Sequence, residues 1–133
     1  MAAFTDAQTD AINAQGGSVL VSAAAGSGKT TVLIERIIRM ITRRENPIDV
    51  DRLLIVTFTR AAASEMKERL AKAINLLLEN DPYNSLLLRQ RQLMYNTNIC
   101  TIDSFCGSVV REYFHILGVQ KDFRLADENE IKV

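Results

Sequence analysis

The feature that most constrains this chain is the loop at residues 22–31, which reads S-A-A-A-G-S-G-K-T-T. It follows the apolar residues 19–21, and a segment with helical periodicity begins at Val32. A strand, a loop of small residues and a helix in this order favour phosphate binding, because backbone amides converge on the anion and the helix N-terminus adds its unpaired donors. The sequence therefore predicts a nucleotide-binding loop. The simpler alternative is a Gly-Ser turn that happens to end in Lys-Thr.

Individual residues of this loop have expected roles. The usual pattern is G-x-x-x-x-G-K-[ST]; here Ala23 replaces the first glycine, whereas the Gly-Lys-Thr end is intact. Lys29 is the expected catalytic residue because its ammonium reaches the β- and γ-phosphates, and the Thr30 hydroxyl is the expected Mg²⁺ ligand. The expected nucleotide-binding residues of the loop are Ala23, Ala24, Ala25, Gly26, Ser27, Gly28, Lys29, Thr30 and Thr31.

Composition bounds the class of protein. The 133 residues are 47% hydrophobic, which suits one domain with a modest core and excludes a disordered chain. The formal net charge is zero, so composition gives no sign of nucleic-acid binding. Any DNA contact must come from a local patch or from other parts of a longer protein.

The cysteine pattern indicates a reducing environment. Cys100 and Cys106 fit neither a zinc spacing nor a C-x-x-C redox motif, so we interpret them as reduced thiols of a cytoplasmic protein. The chain shows no secretory segment and no apolar run near 18 residues, so we expect neither export nor membrane insertion.

Hydrophobic periodicity predicts three successive βα units and hence a parallel sheet with right-handed crossovers. The carboxyl ends of such strands share one edge, so we expect the phosphate loop, residues 58–60 and residues 101–104 to lie together. The predicted strands are residues 19–22, 53–57 and 98–102. The predicted helices are residues 4–12, 32–43, 61–80, 85–95 and 103–118.

Several side chains have a plain structural interpretation from spacing alone. Gln8 lies off the apolar stripe of the first helix, which favours a solvated residue. Phe58 follows a strand of buried character, which favours a core residue. We expect the basic side of the second helix to face solvent; it consists of Arg36, Arg39, Arg43 and Arg44. The last helix is expected to face inward with Phe105, Val109, Tyr113, Ile116 and Leu117.

A complete ATPase site also needs a carboxylate after a buried strand. The single Asp-Glu pair of the sequence is Asp127-Glu128. A strand leading to it would bury Arg124 at a large desolvation cost, so we interpret the pair as part of a solvated acidic tail. The sequence thus supplies half of an ATP site.

Four segments carry a resemblance to a known family: residues 4–12 (F-T-D-A-Q-T-D-A-I), 22–30, 54–69 (L-I-V-T-F-T-R-A-A-A-S-E-M-K-E-R) and 99–106 (I-C-T-I-D-S-F-C). They resemble the Q motif, the Walker A loop, motif Ia and motif Ib of UvrD/Rep-like superfamily 1 DNA helicases. The chain looks closest to the RecB and AddA type, the helicase–nuclease subunits of bacterial double-strand-break repair. In this family an alanine at the first glycine position of the loop is usual.

The resemblance implies a site and two cofactors. Gln8 is expected to read adenine, which makes the nucleotide ATP, bound with Mg²⁺. The residues implied to contact single-stranded DNA are Phe58, Thr59, Arg60, Thr101 and Ser104. Arg60 stands where asparagine is common. Asp103 stands where histidine is common, and because a carboxylate repels phosphate, a helix cap is its alternative role.

The resemblance also implies the fold and the activity. We expect residues 1–133 to be the N-terminal portion of helicase domain 1A, an incomplete three-layer α/β P-loop (RecA-like) fold without a second domain. The longer parent would couple ATP hydrolysis to translocation on DNA, with a partner subunit in a helicase–nuclease complex, and this portion alone would be inactive. The alternatives are a small self-contained P-loop kinase or GTPase, and a non-catalytic nucleotide-binding module that associates through an open sheet edge.

Overall fold

The computed structural model describes residues 4–24, 26–120 and 122–124. Ala25 and the pair Asp127-Glu128 lie outside these residues. The described elements are helices α1 (Asp6–Asn13), α2 (Lys29–Ile41), α3 (Arg60–Asn80), α4 (Ser85–Leu93), α5 (Ile102–Glu112) and α6 (Phe114–Leu117), and strands β1 (Leu54–Thr57) and β2 (Asn98–Thr101).

Strands β1 and β2 form a parallel pair, with Leu54 opposite Asn98 and Thr57 opposite Thr101. The chain between them passes through α3 and α4, and α3 packs against both strands. Both strands end at the same edge, so the segments that begin at Phe58 and Ile102 leave the sheet side by side. The predicted parallel arrangement of these two βα units is confirmed.

The strand predicted at residues 19–22 is wrong. These residues are not part of the sheet, and Leu20 is 95% exposed. A strand exists only where a neighbour accepts and donates its backbone hydrogen bonds. Among the described residues the sheet consists of β1 and β2, and residues 19–22 pair with neither strand. The described part is therefore an α/β arrangement with a two-stranded parallel sheet, which is compatible with part of a larger domain.

The core lies where α2, α3 and α4 meet. Its side chains are mainly aliphatic because each helix buries an apolar stripe at helical spacing. The buried cluster comprises Ile37, Ile38, Ile41, Val50, Leu70, Ile74, Leu78, Leu87 and Met94. Helical periodicity within residues 61–80 predicts a buried side made of Ala62, Met66, Leu70, Ile74 and Leu77. This is confirmed at Met66, Leu70 and Ile74, whereas Ala63 and Leu78 are buried instead of their neighbours Ala62 and Leu77.

The expectation that α5 and the residues after it face inward is wrong. Phe105, Val109, Tyr113, Ile116 and Leu117 are all exposed to a substantial degree. Burial of an amphipathic face requires a second surface, and in the part of the chain that the structure describes α5 packs mainly against the two strands and α6. The helix also begins earlier than predicted, because the N-cap is Thr101 and not Asp103.

Both cysteines are free thiols, as their spacing predicts. Cys100 is half-buried in β2, whereas Cys106 is exposed on α5. None of the helices within residues 4–24, 26–120 and 122–124 has the length and apolar character needed to cross a membrane.

Gln90 fixes the segment that leads into β1. Its side chain is fully buried; Oε1 accepts a hydrogen bond of 2.9 Å from the backbone N–H of Val50, and Nε2 donates one of 3.1 Å to Asp49. Arg89 donates two further bonds, of 2.9 and 2.7 Å, to the two carboxylate oxygens of Asp49. Helix α4 thereby holds the chain just before the strand.

Replacing Gln90 by leucine tests the buried amide. Leucine keeps most of the side-chain volume but leaves the N–H of Val50 buried without an acceptor, so we expect Gln90→Leu to lower the free energy of unfolding by about 1–3 kcal/mol. Urea unfolding measures the change. The control is Gln92→Leu, at an exposed position of the same helix. Equal stabilities of the two variants would contradict the assigned role.

The Asp49–Arg89 pair predicts a pH dependence of stability. The hydrogen bond from Arg89 is the main reason that the pKa of Asp49 is lowered from 3.8 to about 2, and Gln90 adds to this lowering. The folded state therefore binds this proton less readily than the unfolded state, so the stabilisation is complete above about pH 4 and is lost as the pH falls towards 2. We expect the urea midpoint of Arg89→Met to change less between pH 4 and pH 2 than the midpoint of Arg69→Met. The second variant is the control, because it removes an exposed ion pair within α3 and leaves the Asp49–Arg89 pair in place.

Candidate functional site

The loop that most constrains the sequence runs directly into the first turn of α2. Gly26 and Gly28 have φ angles of 77° and 82°, in the left-handed region that other residues rarely adopt. Gly28 is the N-cap of α2. The two glycines therefore supply the backbone bend that brings the chain into the helix at Lys29.

The N-terminus of α2 is left open. Among the described helices of eight residues or more, it alone has no side-chain cap, and its first turn contains no acidic residue. The others are capped by Thr5, Thr59, Asn84 and Thr101. The first amides of a helix have no acceptor within it and carry the positive end of the helix dipole. This end of α2 is therefore suited to hold an anion.

Lys29 lies over the same loop. Its Nζ donates hydrogen bonds of 2.6 Å to the carbonyl of Ala23 and 2.7 Å to the carbonyl of Ala24. The ammonium thus returns from the start of α2 to the beginning of the loop and adds positive charge beside the open amides. Thr30 and Thr31 follow it in the first turn, and both are exposed.

The hydroxyl of Thr30 is the one metal ligand expected in this loop. In the part of the chain that the structure describes, no group of three or more His, Cys, Asp or Glu side chains could hold a metal ion. The described residues therefore fit a phosphate group and one Mg²⁺ ligand, but they do not provide a carboxylate set for the ion.

Gln8 joins α1 to the loop. Its Oε1 accepts a hydrogen bond of 3.0 Å from the backbone N–H of Thr5, which completes a capping box, and its Nε2 donates one of 3.2 Å to the carbonyl of Ser27. The interpretation of Gln8 as a solvated residue is therefore wrong. Its spacing gives no sign of this contact, because the contact exists only once α1 packs on α2.

Two arginines of α2 hold the other end of α1. Arg36 donates 2.7 and 3.3 Å hydrogen bonds to the carbonyls of Ala11 and Ile12, and Arg39 donates one of 2.6 Å to the side chain of Asn13. The solvent interpretation is wrong for Arg36, which is partly buried between α1 and α2. It is right for Arg39, which is exposed although it contacts Asn13.

A second group of predicted residues follows β1. Thr57 donates a hydrogen bond of 2.9 Å to the carbonyl of Thr59, and the Thr59 hydroxyl accepts one of 3.1 Å from the N–H of Ala62 at the start of α3. Phe58 lies between these anchored residues and is 93% exposed. The core interpretation of Phe58 is therefore wrong: a fixed turn presents its ring to solvent.

The end of β2 is built in the same manner. Thr101 is 7% exposed, and its hydroxyl accepts a 3.1 Å hydrogen bond from the N–H of Ser104 and lies 2.8 Å from the Ser104 hydroxyl. Thr101 thus caps α5, while Ser104 and Asp103 are exposed in its first turn.

A groove of about 390 Å³ brings the two strand ends together. It is lined by Phe58, Arg60, Thr101, Asp103, Ser104, Gly107 and Arg111. The groove thus contains every residue expected to bind DNA except Thr59. A larger cavity of about 650 Å³ between α3 and α4 contains none of the predicted site residues.

Arg111 is the groove residue that sequence patterns alone did not single out. A signal existed, because Ser104, Gly107 and Arg111 follow one another at helical spacing and so share a face of α5. A side chain at Gly107 would come within 3.3 Å of the Arg111 guanidinium, which lies 5.4 Å from the centre of the Phe123 ring. The guanidinium therefore occupies a defined place at the end of the groove.

The chain is similar to known proteins over almost all of its length. Residues 4–133 match the sequence model of the UvrD/REP helicase N-terminal domain. A protein described as an ATP-dependent helicase/nuclease subunit, from Anoxybacillus flavithermus, is 52% identical over 128 residues, which are 96% of this chain and 11% of the relative. Proteins of the same description from Clostridium perfringens and Clostridium novyi are 50% and 54% identical over 98% and 96% of this chain, and 10% of each relative. The chain thus spans about a tenth of the length of the curated relatives it matches.

Proposed function

Because the chain belongs to the UvrD/REP helicase N-terminal domain family, we propose that it is the nucleotide-binding start of an ATP-dependent DNA helicase. In this proposal, residues 1–133 form the N-terminal portion of motor domain 1A, within a three-layer P-loop fold completed by other parts of a longer protein. The observation that carries the proposal is the junction of Gln8, the glycine loop and Lys29 at the open N-terminus of α2.

Each residue of this junction has a separate proposed role in binding ATP. Backbone amides of the loop and the first turn of α2 face the phosphates, and Lys29 exchanges its two carbonyl acceptors for phosphate oxygens. Gln8 orients the adenine, and the Thr30 hydroxyl is a ligand for Mg²⁺. ATP with Mg²⁺ supplies the free energy of phosphoryl transfer when bound. Because the described residues provide no carboxylate set, we expect the chain alone to hydrolyse ATP negligibly.

The groove at the strand ends is the proposed DNA contact. The exposed ring of Phe58 is suited to stack on a base, while Arg60, Ser104 and the newly identified Arg111 bind phosphates. Thr59 and Thr101 support this contact as the caps that hold the two loops. The arginines of the groove, Arg60 and Arg111, provide the local basic patch that a chain of zero net charge needs in order to bind DNA.

The names of the relatives extend the proposal to the whole protein. Those proteins are described as ATP-dependent helicase/nuclease subunits. We therefore assign to the parent of this chain translocation on single-stranded DNA, an associated nuclease activity and a partner subunit. The free thiols of Cys100 and Cys106 support a cytoplasmic location.

Replacing Lys29 tests the nucleotide site. We expect Lys29→Ala to lower the DNA-stimulated ATPase rate of the full-length protein by at least about 100-fold, the usual scale for removing a positioned donor to a phosphoryl group. Lys72→Ala removes an exposed lysine of α3 and should leave the rate unchanged. Mg²⁺-dependent turnover by the 133-residue chain that disappears in Lys29→Ala would contradict the expected inactivity of the chain alone.

The comparison of ATP with GTP separates this function from a self-contained kinase or GTPase. A site that reads adenine through Gln8 binds ATP more tightly than GTP, and the preference falls in Gln8→Ala. A preference for GTP, or hydrolysis without DNA stimulation, would favour the alternative class.

Replacing Phe58 tests the DNA groove. Because stacking of one base on an aromatic ring contributes about 1–3 kcal/mol, we expect Phe58→Ala to weaken single-stranded DNA binding by about 5- to 150-fold. Fluorescence anisotropy with a labelled oligothymidine at fixed salt measures this loss. Tyr83→Ala is the matched control, since Tyr83 is an equally exposed aromatic (92%) after the far end of α3. Equal DNA affinities of the two variants would remove Phe58 from the proposed interface.

A further inference from the structure

We propose that Arg36 is a positioning residue for adenine recognition, because it anchors the helix that carries Gln8. This inference rests on the proposed role of Gln8 as the adenine reader. Arg36 does not touch the nucleotide in this proposal; it acts through α1.

The contacts of Arg36 close the C-terminal end of α1. Its Nη1 donates to the carbonyls of both Ala11 and Ile12, at 2.7 and 3.3 Å, and the side chain is partly buried between the two helices. The last carbonyls of a helix have no partner within it, and they carry the negative end of the helix dipole. The partly buried guanidinium of Arg36 both donates hydrogen bonds to these carbonyls and places a positive charge at the negative end of the dipole.

Helix α1 depends on such contacts for its position. It has eight residues, and helices of this length are not stable by themselves in water. Its one buried side chain is Ile12, adjacent to the carbonyls that Arg36 binds. Its other fixed point is Gln8, which donates to the carbonyl of Ser27. Gln8 and Ile12 are one helical turn apart, about 5–6 Å along the axis.

The two contacts that hold α1 are made to α2 and to the loop that leads into it. The phosphate loop enters α2 at Lys29, and Arg36 lies seven residues later on the same helix, about 10 Å along its axis. Arg36 therefore sets the distance and angle between α1 and the loop. Without it, the C-terminal end of α1 is held mainly by Ile12 and the exposed Arg39–Asn13 contact.

The atoms of Gln8 make this position relevant to the base. Oε1 uses one acceptor site for the N–H of Thr5, and Nε2 uses one of its two hydrogens for the carbonyl of Ser27. One acceptor site and one hydrogen remain, which match an adenine edge that donates from N6 and accepts at a ring nitrogen. A small rotation of α1 would misalign this pair, whereas the triphosphate site on α2 would stay intact.

The test is the kinetics of Arg36→Met in the full-length protein, with ATP and GTP as substrates. We expect KM for ATP to rise by about 5- to 20-fold with kcat changed less than about 2-fold, and the ATP-over-GTP preference to fall by the same factor as KM rises. The double variant Gln8→Ala/Arg36→Met should discriminate no worse than Gln8→Ala alone. Arg69→Met, which removes an arginine from an exposed pair within α3, should behave as the unaltered protein.

Each result decides the inference. A purely structural arginine would lower the thermal midpoint of Arg36→Met while its ATP-over-GTP preference stays unchanged, and this overturns the proposal. Additive effects of the two substitutions overturn it as well, and leave the role of Gln8 standing. An unchanged preference in Gln8→Ala overturns both the adenine-reading role and this inference. Should Arg36→Met not fold, Arg36→Gln, which keeps a neutral donor, replaces it in the same comparison.

Discussion

The packing of α2 against α3 is the constraint on which the rest of this structure depends. Ile41, Leu70 and Ile74 are fully buried where the two helices meet, and aliphatic neighbours surround them. The N-terminus of α2 carries the phosphate loop, and the N-terminus of α3 follows the turn that presents Phe58. One aliphatic contact therefore fixes the relative position of the two surfaces assigned to ATP and to DNA. Because interiors pack closely, a shift of one helix is transmitted to the other.

The two surfaces assigned to ATP and to DNA differ in how the N-termini of their helices are capped. At α3 and α5 a threonine hydroxyl accepts a hydrogen bond from one amide of the first turn, and the exposed groups beside these ends are the side chains of Phe58, Arg60 and Ser104. At α2 a left-handed glycine occupies the cap position and offers no side-chain acceptor. Capping thus distinguishes the proposed DNA surface, which presents side chains, from the proposed ATP site, which presents backbone amides.

The sequence predicts best what depends on near neighbours in the chain. The glycine loop and most of the buried stripe of α3 follow from local patterns, and so does Arg111 once helical spacing is applied along α5. Prediction from the sequence fails where contacts with residues distant in the chain decide the structure. Residues 19–22 have strand composition without a neighbouring strand, and Arg36 and Gln8 look solvated until α1 lies on α2. The resemblance to the Q motif singled out Gln8, because a family pattern carries tertiary information that periodicity lacks, but it gave no indication for Arg36.

The hydrogen bonds from Lys29 to the carbonyls of Ala23 and Ala24 have a thermodynamic consequence. They tie the beginning of the loop to the start of α2, so the backbone has already lost much of its conformational freedom before a ligand arrives. In the proposed complex Lys29 leaves these two carbonyls for phosphate oxygens, so the loop competes with the ligand for the same ammonium. The net contribution of Lys29 to binding is then the difference between its hydrogen bonds to phosphate and those it already makes to the loop.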